Sequence, residues 1–260
     1  MTKKIPKTKF PTAATVSYER ALVKMVEQMG NEAIKLFDKY VASELMHGDS
    51  ARYTKDGVFN KLGKMLSSLK KRASAVFSQQ VTQRAAKQFV NGVNRVNRSN
   101  LEQQARVHGI DLVANEPWLK DFVNERINNN VSFIKNLEDD TYGRIENIVR
   151  QHIERGSSAK VIREAIMEQT DIGKSRAQFL AVDQAGTILG QMTAERHQRL
   201  GIERFTWDTS GDERVRDTHK ELDGEVFSYD DPPIVNGRKV LPGEDYRCRC
   251  VALPVFDDDV

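Results

Sequence analysis

Apolar residues recur at a helical period through most of the chain up to Gly201. Between Ser17 and Met46 they are spaced by three or four positions, which places them on one face of a helix. These positions are Tyr18, Leu22, Met25, Met29, Ala33, Leu36, Tyr40 and Leu45. Ser17 can cap the first turn, because its hydroxyl can accept a hydrogen bond from a free backbone amide. The pattern predicts a core-facing helix that ends at His47–Asp49.

The same period predicts further long helices downstream. The segment Gly57–Leu101 is helical throughout, and Arg98–Pro117 is a junction. Trp118–Arg155 is predicted as one long helix or two, with Asn128–Asn130 as the weak point, since asparagine competes for backbone hydrogen bonds. A short helix is predicted from Ser158, ending at Asp171–Gly173. Another follows over Ser175–Leu200, with Gly201 as its stop.

The pattern changes after Gly201. Short runs typical of β-strands (Arg204–Trp207, Glu225–Phe227 and Cys250–Leu253) alternate with Asp-Gly and Pro-Gly turn signals. The predicted fold class is therefore mostly α within an α+β fold, a long-helix body followed by a small turn-rich α+β module. We divide the chain into an extended basic arm (1–16), a helical basic body (17–155) and a C-terminal domain (156–260).

Charge is distributed unevenly along the chain. From Trp207 to the end there are 7 Lys/Arg and 14 Asp/Glu, a balance of −7, and the net charge of +3 leaves +10 for residues 1–206. Residues 1–16 hold four lysines and no acid, as expected for a disordered tail or for an arm that docks on a subunit or DNA. A basic body and an acidic C-terminal part suggest surfaces with different partners.

The basic segment Gly57–Leu101 holds nine Lys/Arg and no Asp or Glu. A solvated basic face is one interpretation. The absence of any acid over this length favours a polyanion, namely double-stranded DNA bound without sequence preference, since Lys and Arg contacts to phosphate carry no base specificity. The predicted DNA-binding residues are Lys61, Lys64, Lys70, Lys71, Arg72, Arg84, Lys87, Arg95 and Arg98.

Neither a membrane span nor a secretory signal is predicted. No window approaches eighteen consecutive apolar residues, and no apolar run follows the basic N-terminus. The two cysteines, Cys248 and Cys250, are too close in sequence to form a long-range disulfide, and a bacterial cytosol would keep them reduced.

Cys248, Cys250 and His219 are the candidates for metal chemistry. On an extended strand both thiols project on one face, and with His219 they supply three zinc ligands that an Asp could complete. Structural zinc sites usually space their cysteines by two to four residues, however. The preferred interpretation is therefore no cofactor, with core or surface thiols and a hydrogen-bonded His219. Zinc is the alternative.

Catalysis is the other alternative. His219 with Asp212, Asp217 and Asp223 could form a metal-dependent hydrolase or toxin-like effector that also uses the cysteine pair. Helical ion pairs, Asp212 with Arg216 and Asp217 with Lys220, explain the same acids adequately. The sequence contains no P-loop, dinucleotide fingerprint, nucleophile elbow or His-Glu-x-x-His motif. We therefore expect a protein that is not an enzyme, with no catalytic residues.

The C-terminal stretch also carries a family resemblance. It is similar to the Mu-F-like minor capsid, or head morphogenesis, proteins of tailed bacteriophages, from the helix before Gly201 onward. The positions that carry the resemblance, which we interpret as structural, are Trp207, Asp212, Arg214, Arg216, His219, Asp223, Gly224, Gly243, Cys248 and Cys250.

The resemblance implies a minor head protein in the virion, inside the capsid at the portal vertex, and in the host cytoplasm during assembly. The implied partners are the portal oligomer, the capsid interior and packaged DNA. Of the surfaces that could meet the portal we favour the C-terminal domain, whose proline-containing loop Asp230–Asn236 can be presented at low ordering cost.

Overall fold

Long helices make up most of the protein. The computed structural model describes residues 5–45, 55–110 and 116–256, and it is 69% helical. The helices are α1 (Thr12–Phe37), which continues through a π-helical turn (Asp38–Ala42) into the short α2 (Ser43–Leu45), then α3 (Lys55–Val76), α4 (Gln79–Val107), α5 (Leu119–Glu154), α6 (Ala159–Arg199) and α7 (Asp217–Lys220). The predicted class, a mostly helical α+β fold with a small C-terminal strand region, is confirmed.

The chain forms two compact units, each built from separate stretches of sequence. Unit 1 contains residues 1–18, 86–128 and 179–260, and unit 2 contains residues 19–85 and 129–178. The predicted boundaries at residues 16 and 155 divide the chain into consecutive segments, which these units do not test. The division stays a prediction. Helices α1, α4, α5 and α6 each contribute residues to both units.

Unit 2 is built of helices joined by short turns and contains no strand among its described residues. The apolar stripe predicted on α1 is buried as expected, except that Tyr40 and Leu45 are only half-buried. Two glycines let helices approach closely. A Cβ on Gly30 would lie 2.3 Å from Thr170 Oγ1, and one on Gly173 would lie 2.9 Å from Val26 Cγ1.

Gly173 also explains a wrong prediction. The helix that starts at Ser158 was predicted to end at Asp171–Gly173, but α6 runs without interruption from Ala159 to Arg199. Gly173 is buried as a contact point within the helix, so packing outweighs its low helix propensity. The weak point at Asn128–Asn130 does not break α5 either, and Asn130 is fully buried.

The basic segment forms two helices instead of one. α3 ends at Val76, and Lys135 satisfies the carbonyl of Phe77 just beyond that end. α4 then continues to Val107, through much of the predicted junction. The predicted end of the first helix at His47–Asp49 lies outside the described residues.

The N-terminal residues of unit 1 lie along α4. Residues 5–11 have no regular secondary structure, and α1 begins at Thr12, so the last part of the predicted arm is helical. Asn100 exchanges hydrogen bonds with the Lys9 backbone, and Gln104 donates to the Pro6 carbonyl. Tyr18 stacks on Phe89 with ring centroids 4.1 Å apart.

The C-terminal module, residues 201–256, is built on a three-stranded antiparallel sheet. β1 (Arg204–Asp208) lies between β2 (Val226–Ser228) and β5 (Val251–Val255), and Trp207 faces Ala252 across the β1–β5 pair. A separate hairpin joins β3 (Ile234–Val235) to β4 (Arg238–Lys239) through Asn236-Gly237, both with positive φ. The three β-type runs predicted from sequence are confirmed within one or two residues.

Candidate metal centre in the C-terminal module

Buried and half-buried residues alternate along β1, and its two buried aromatic residues line the candidate site. Phe205 and Trp207 point to the buried face of the strand and are fully buried. They form a core with residues of α6, the turns and β5: Ala194, Tyr229, Val235, Val240, Cys248, Cys250 and Ala252. Both cysteines therefore lie inside this core and not on the surface.

His219 enters the core from the short helix α7. Its side chain is 2% exposed and meets the Trp207 indole edge to face, with ring centroids 5.5 Å apart. Its Nε2 lies 3.2 Å from Asp245 Oδ2. Its Nδ1, on the opposite side of the ring, lies 3.5 Å from Cys248 Sγ and 3.5 Å from Cys250 Sγ.

Asp245, next to His219, binds several further groups. Its carboxylate also accepts hydrogen bonds from Arg216 Nη1 at 3.1 Å, Arg238 Nη2 at 3.1 Å and the Tyr246 backbone N–H at 2.9 Å. Burial disfavours its charged form, but these donors and charges prevail and hold the pKa of Asp245 below its usual value. Asp245 is not among the site residues predicted from the sequence; its place three residues before Cys248 is the signal that could have indicated it.

The thiols of Cys248 and Cys250 both lie close to His219, and the three groups shift one another's pKa. The Cys250 backbone N–H donates to Cys248 Sγ at 3.3 Å. A hydrogen bond from the Cys250 thiol, with His219 as a second donor, lowers the pKa of Cys248 to about 5. The same bond and burial raise the pKa of Cys250. Its bond to Cys248 raises the pKa of His219. The cluster therefore favours thiolate at Cys248, the form that binds metals.

Close packing on α6 fixes the segment that carries the cysteines. A Cβ on Gly186 would lie 2.3 Å from the Cys248 carbonyl oxygen, and one on Gly190 would lie 2.2 Å from that of Pro242. Asp183 on the same helix accepts a hydrogen bond from the backbone N–H of Arg247, whose φ is +51°. Asp183 is not among the site residues predicted from the sequence.

The remaining motif positions brace turns. Asp212 binds Arg249 Nη2 at 2.6 and 2.7 Å, and Asp223 Oδ1 accepts from Thr209 N at 2.7 Å. Gly224, with φ +81°, donates its N–H to the Trp207 carbonyl at 2.8 Å. Arg214 is exposed, and its backbone N–H binds Asp212.

One of the two predicted helical ion pairs is present. Lys220 binds Asp217 at 2.8 Å. Asp212 does not pair with Arg216, because α7 begins only at Asp217 and Arg216 is directed to Asp245. The three predicted metal-site residues come together, with one ligand atom from each within 4.8 Å of the others. Among the described residues, no aspartate oxygen lies within this distance of all three ligand atoms.

The nine predicted DNA-binding residues divide between the two units. Lys61 pairs with Glu44, Arg72 with Glu32, and Arg98 with Glu102 and Glu116. The other six are exposed and form no ion pair with any residue that the structure describes: Lys64, Lys70, Lys71, Arg84, Lys87 and Arg95.

Residues 143–253 match the model of the family described as "Phage Mu protein F like protein". This region is Mu F-like. The match covers less than half of the chain and begins within α5, earlier than the resemblance read from the sequence. The match supports the family resemblance found in the C-terminal residues of the sequence. No helix of the described residues is long and apolar enough to cross a bilayer.

Three curated relatives share parts of the chain. An uncharacterized protein of Haemophilus influenzae is 36% identical over 164 residues, 62% of this chain and 35% of that protein. YqbB, an uncharacterized protein of Bacillus subtilis, is 25% identical over 183 residues, 63% of this chain and 59% of its own length. An NAD(+)–arginine ADP-ribosyltransferase of Enterococcus faecalis, EFV, is 30% identical over 122 residues, 43% of this chain and 25% of that protein. The chain thus spans less than two thirds of each relative. No solved structure is a significant match.

Proposed function

We propose that the protein is a minor head component of a tailed phage that sits inside the capsid at the portal vertex and contacts packaged DNA. The observation that carries the proposal is the Mu F-like region over residues 143–253. Its buried cluster of Trp207, His219 and the two cysteines gives the module a rigid core from which loops can be presented.

The DNA contact is assigned to the unpaired cations of the basic segment. On α3, Lys64 and Lys71 are seven residues apart and so lie on one face, with Lys70 adjacent. All three are exposed and form no ion pair with a described residue. Cations that are not neutralised within the protein are the ones able to displace counterions from DNA phosphates, so binding would be independent of sequence and sensitive to salt.

The portal contact is assigned to the acidic C-terminal module. Its surface includes two large apolar side chains with high exposure, Ile234 at 68% and Tyr246 at 63%. Exposed apolar and aromatic side chains on rigid turns are typical of interface anchors. Ile234 lies on the β3–β4 hairpin, at the end of the loop that the sequence favoured for this role.

Co-purification tests the portal assignment. The cognate portal protein is expressed with the full chain, or with a chain truncated after Gly201, and the portal ring is isolated by its own affinity tag. The full chain should co-elute with the ring, and the truncated chain should not. Co-elution of the truncated chain at the level of the full chain would refute the assignment to the module.

The enzymatic alternative has one observation in its favour, the similarity to EFV. The shared segment amounts to a quarter of EFV, so the match does not by itself transfer that protein's activity. Incubation of the purified chain with labelled NAD+ and arginine-containing acceptor proteins separates the two functions. No label transfer above that of a heat-denatured sample is expected, and transfer would favour the enzyme.

A further inference from the structure

We propose that His219, Cys248 and Cys250 bind a zinc ion that holds the C-terminal module together. The three donor atoms are His219 Nδ1 and the two Sγ atoms. They come from two parts of the module, since His219 lies on α7 and the cysteines lie where the chain enters β5. A metal at this point would link α7 directly to the sheet.

The distances fit a tetrahedral ion. Zinc bonds of ~2.3 Å to sulfur and ~2.0–2.1 Å to nitrogen, at tetrahedral angles, place the nitrogen and each sulfur about 3.6 Å apart. The observed separations from His219 Nδ1 are 3.5 Å to Cys248 Sγ and 3.5 Å to Cys250 Sγ. Both nitrogen–sulfur separations therefore match those around one ion, and all three donor atoms lie within 4.8 Å of one another. The unusual Cys-x-Cys spacing is accommodated because both sulfurs face the same ring nitrogen.

The surroundings match what zinc ligands need. A ligating histidine normally donates its other N–H to a carboxylate, which fixes the ring and its tautomer. His219 Nε2 faces Asp245 in this way, and Asp245 is in turn held by Arg216 and Arg238. Cys248 Sγ accepts the backbone N–H of Cys250, as thiolate ligands commonly do.

Trp207 supplies an independent observation. It is fully buried against the cluster, yet its indole Nε1 has no hydrogen-bond partner among the residues that the structure describes. Burying an unpaired N–H is costly. Trp207 and Cys250 lie in the same buried core, so a metal-bound thiolate there would supply the acceptor that this N–H lacks. Three protein ligands leave the fourth position of the ion to a water molecule. The three ligand residues are at most 4% exposed, which restricts the access of a substrate to the ion, so we assign the ion a structural role.

Metal content of the full chain, purified without chelator and without a histidine tag, tests the proposal. We expect about one equivalent of zinc. Cobalt(II) exchanged into the protein should show sulfur-to-metal charge transfer and the absorption of a tetrahedral ion. Cys250→Ser and His219→Ala should lose both signals. Asp217→Asn, which removes an exposed carboxylate from the same short helix as His219, should keep them.

Two further variants separate ligation from folding. Cys250→His keeps a zinc ligand at this position and should retain metal, whereas Cys250→Ser should not. Asp245→Asn leaves all three ligands in place and should weaken zinc affinity by about 10- to 100-fold, measured by competition with a chromogenic chelator. If the folded parent protein holds less than a tenth of an equivalent of zinc and takes up no cobalt, the proposal is wrong, and the cluster is an unmetallated core.

Discussion

At the scale of single residues, helix α6 and the segment that carries the cysteines approach each other backbone to backbone. A Cβ added at Gly186 would lie 2.3 Å from the Cys248 carbonyl oxygen and 2.8 Å from that of Gly243. Neither oxygen belongs to a flexible side chain, so the strand segment or the helix would have to move. Gly143 offers the matched case, a glycine inside helix α5 with nothing within 4 Å of its added Cβ.

We therefore expect opposite results from two identical substitutions. Gly186→Ala should destabilise the protein by about 3 kcal/mol, the upper end of usual overpacking costs. Gly143→Ala should stabilise it by about 0.5–1 kcal/mol through helix propensity alone. Urea unfolding followed by tryptophan fluorescence measures the effect at Gly186, since Trp118 and Trp207 lie in the same unit. Far-UV circular dichroism measures the effect at Gly143, which lies in unit 2. Equal effects of the two substitutions would contradict the close approach.

We expect buried His197 to make the stability of the protein depend on pH. It is fully enclosed, its Nδ1 meets the Tyr229 hydroxyl at 2.5 Å, and burial lowers the pKa of His197 to about 3. The unfolded chain binds a proton near pH 6.5 and the folded chain does not, so stability falls as pH drops below 6.5 and continues to fall to about pH 3. From pH 7 to pH 5 this contribution amounts to about 2 kcal/mol.

Comparison with a variant isolates that contribution from those of other titrating groups. The free energy of unfolding is measured at pH 7 and pH 5 for the parent protein and for His197→Gln. The parent should lose about 2 kcal/mol more than the variant over this interval. An identical loss in both proteins would mean that folding does not lower the pKa of His197.

At the scale of elements, sequence periodicity predicts what local pattern determines. The stripe of α1 and the three short strands were predicted correctly because alternation and turn residues encode them directly. The continuity of α6 was missed because Gly173 has a packing role that depends on Val26 and Thr141, residues remote in sequence. Part of the site was predicted from the sequence, namely the three donor residues His219, Cys248 and Cys250. Asp245 and Asp183 were missed, because they act through contacts that no local pattern encodes.

Helix α3 carries three exposed lysines that we expect to contact DNA. Replacing Lys64, Lys70 and Lys71 with Gln should weaken binding to duplex DNA at low salt. It should also lower the slope of log affinity against log salt by about 2 to 3, since each lost phosphate contact removes about 0.9. Binding to fragments of unrelated sequence should fall equally. Fluorescence anisotropy over a salt series measures both quantities.

The control keeps the change in net charge constant. Lys160, Lys220 and Lys239 are exposed lysines that already pair with Glu164, Asp217 and Asp231. Replacing these three with Gln should leave DNA affinity and its salt dependence close to those of the parent protein. If both triple variants bind alike, net charge alone governs binding and α3 is not the contact surface.

At the scale of the whole molecule, charge divides the chain more clearly than fold does. The balance is −7 from Trp207 onward and +10 before it, although both parts contribute to unit 1. A single surface serving DNA and protein together is disfavoured, because the acidic module would repel phosphate. This is the reason for assigning the polyanion to the basic helices and the portal to the module.

Ile234 allows the portal assignment to be tested without truncating the chain. Ile234→Asp should reduce co-purification with the portal ring by at least about fivefold, because an apolar anchor worth more than 1 kcal/mol is replaced by a charge. The hairpin should persist, since residue 234 faces Lys239 across the strand pair and a carboxylate there gains an opposite charge. Met167→Asp, at a 56% exposed apolar side chain on α6 outside the module, is the matched control and should co-purify normally. Equal recovery of the Ile234 variant and the parent protein would move the portal contact to another surface.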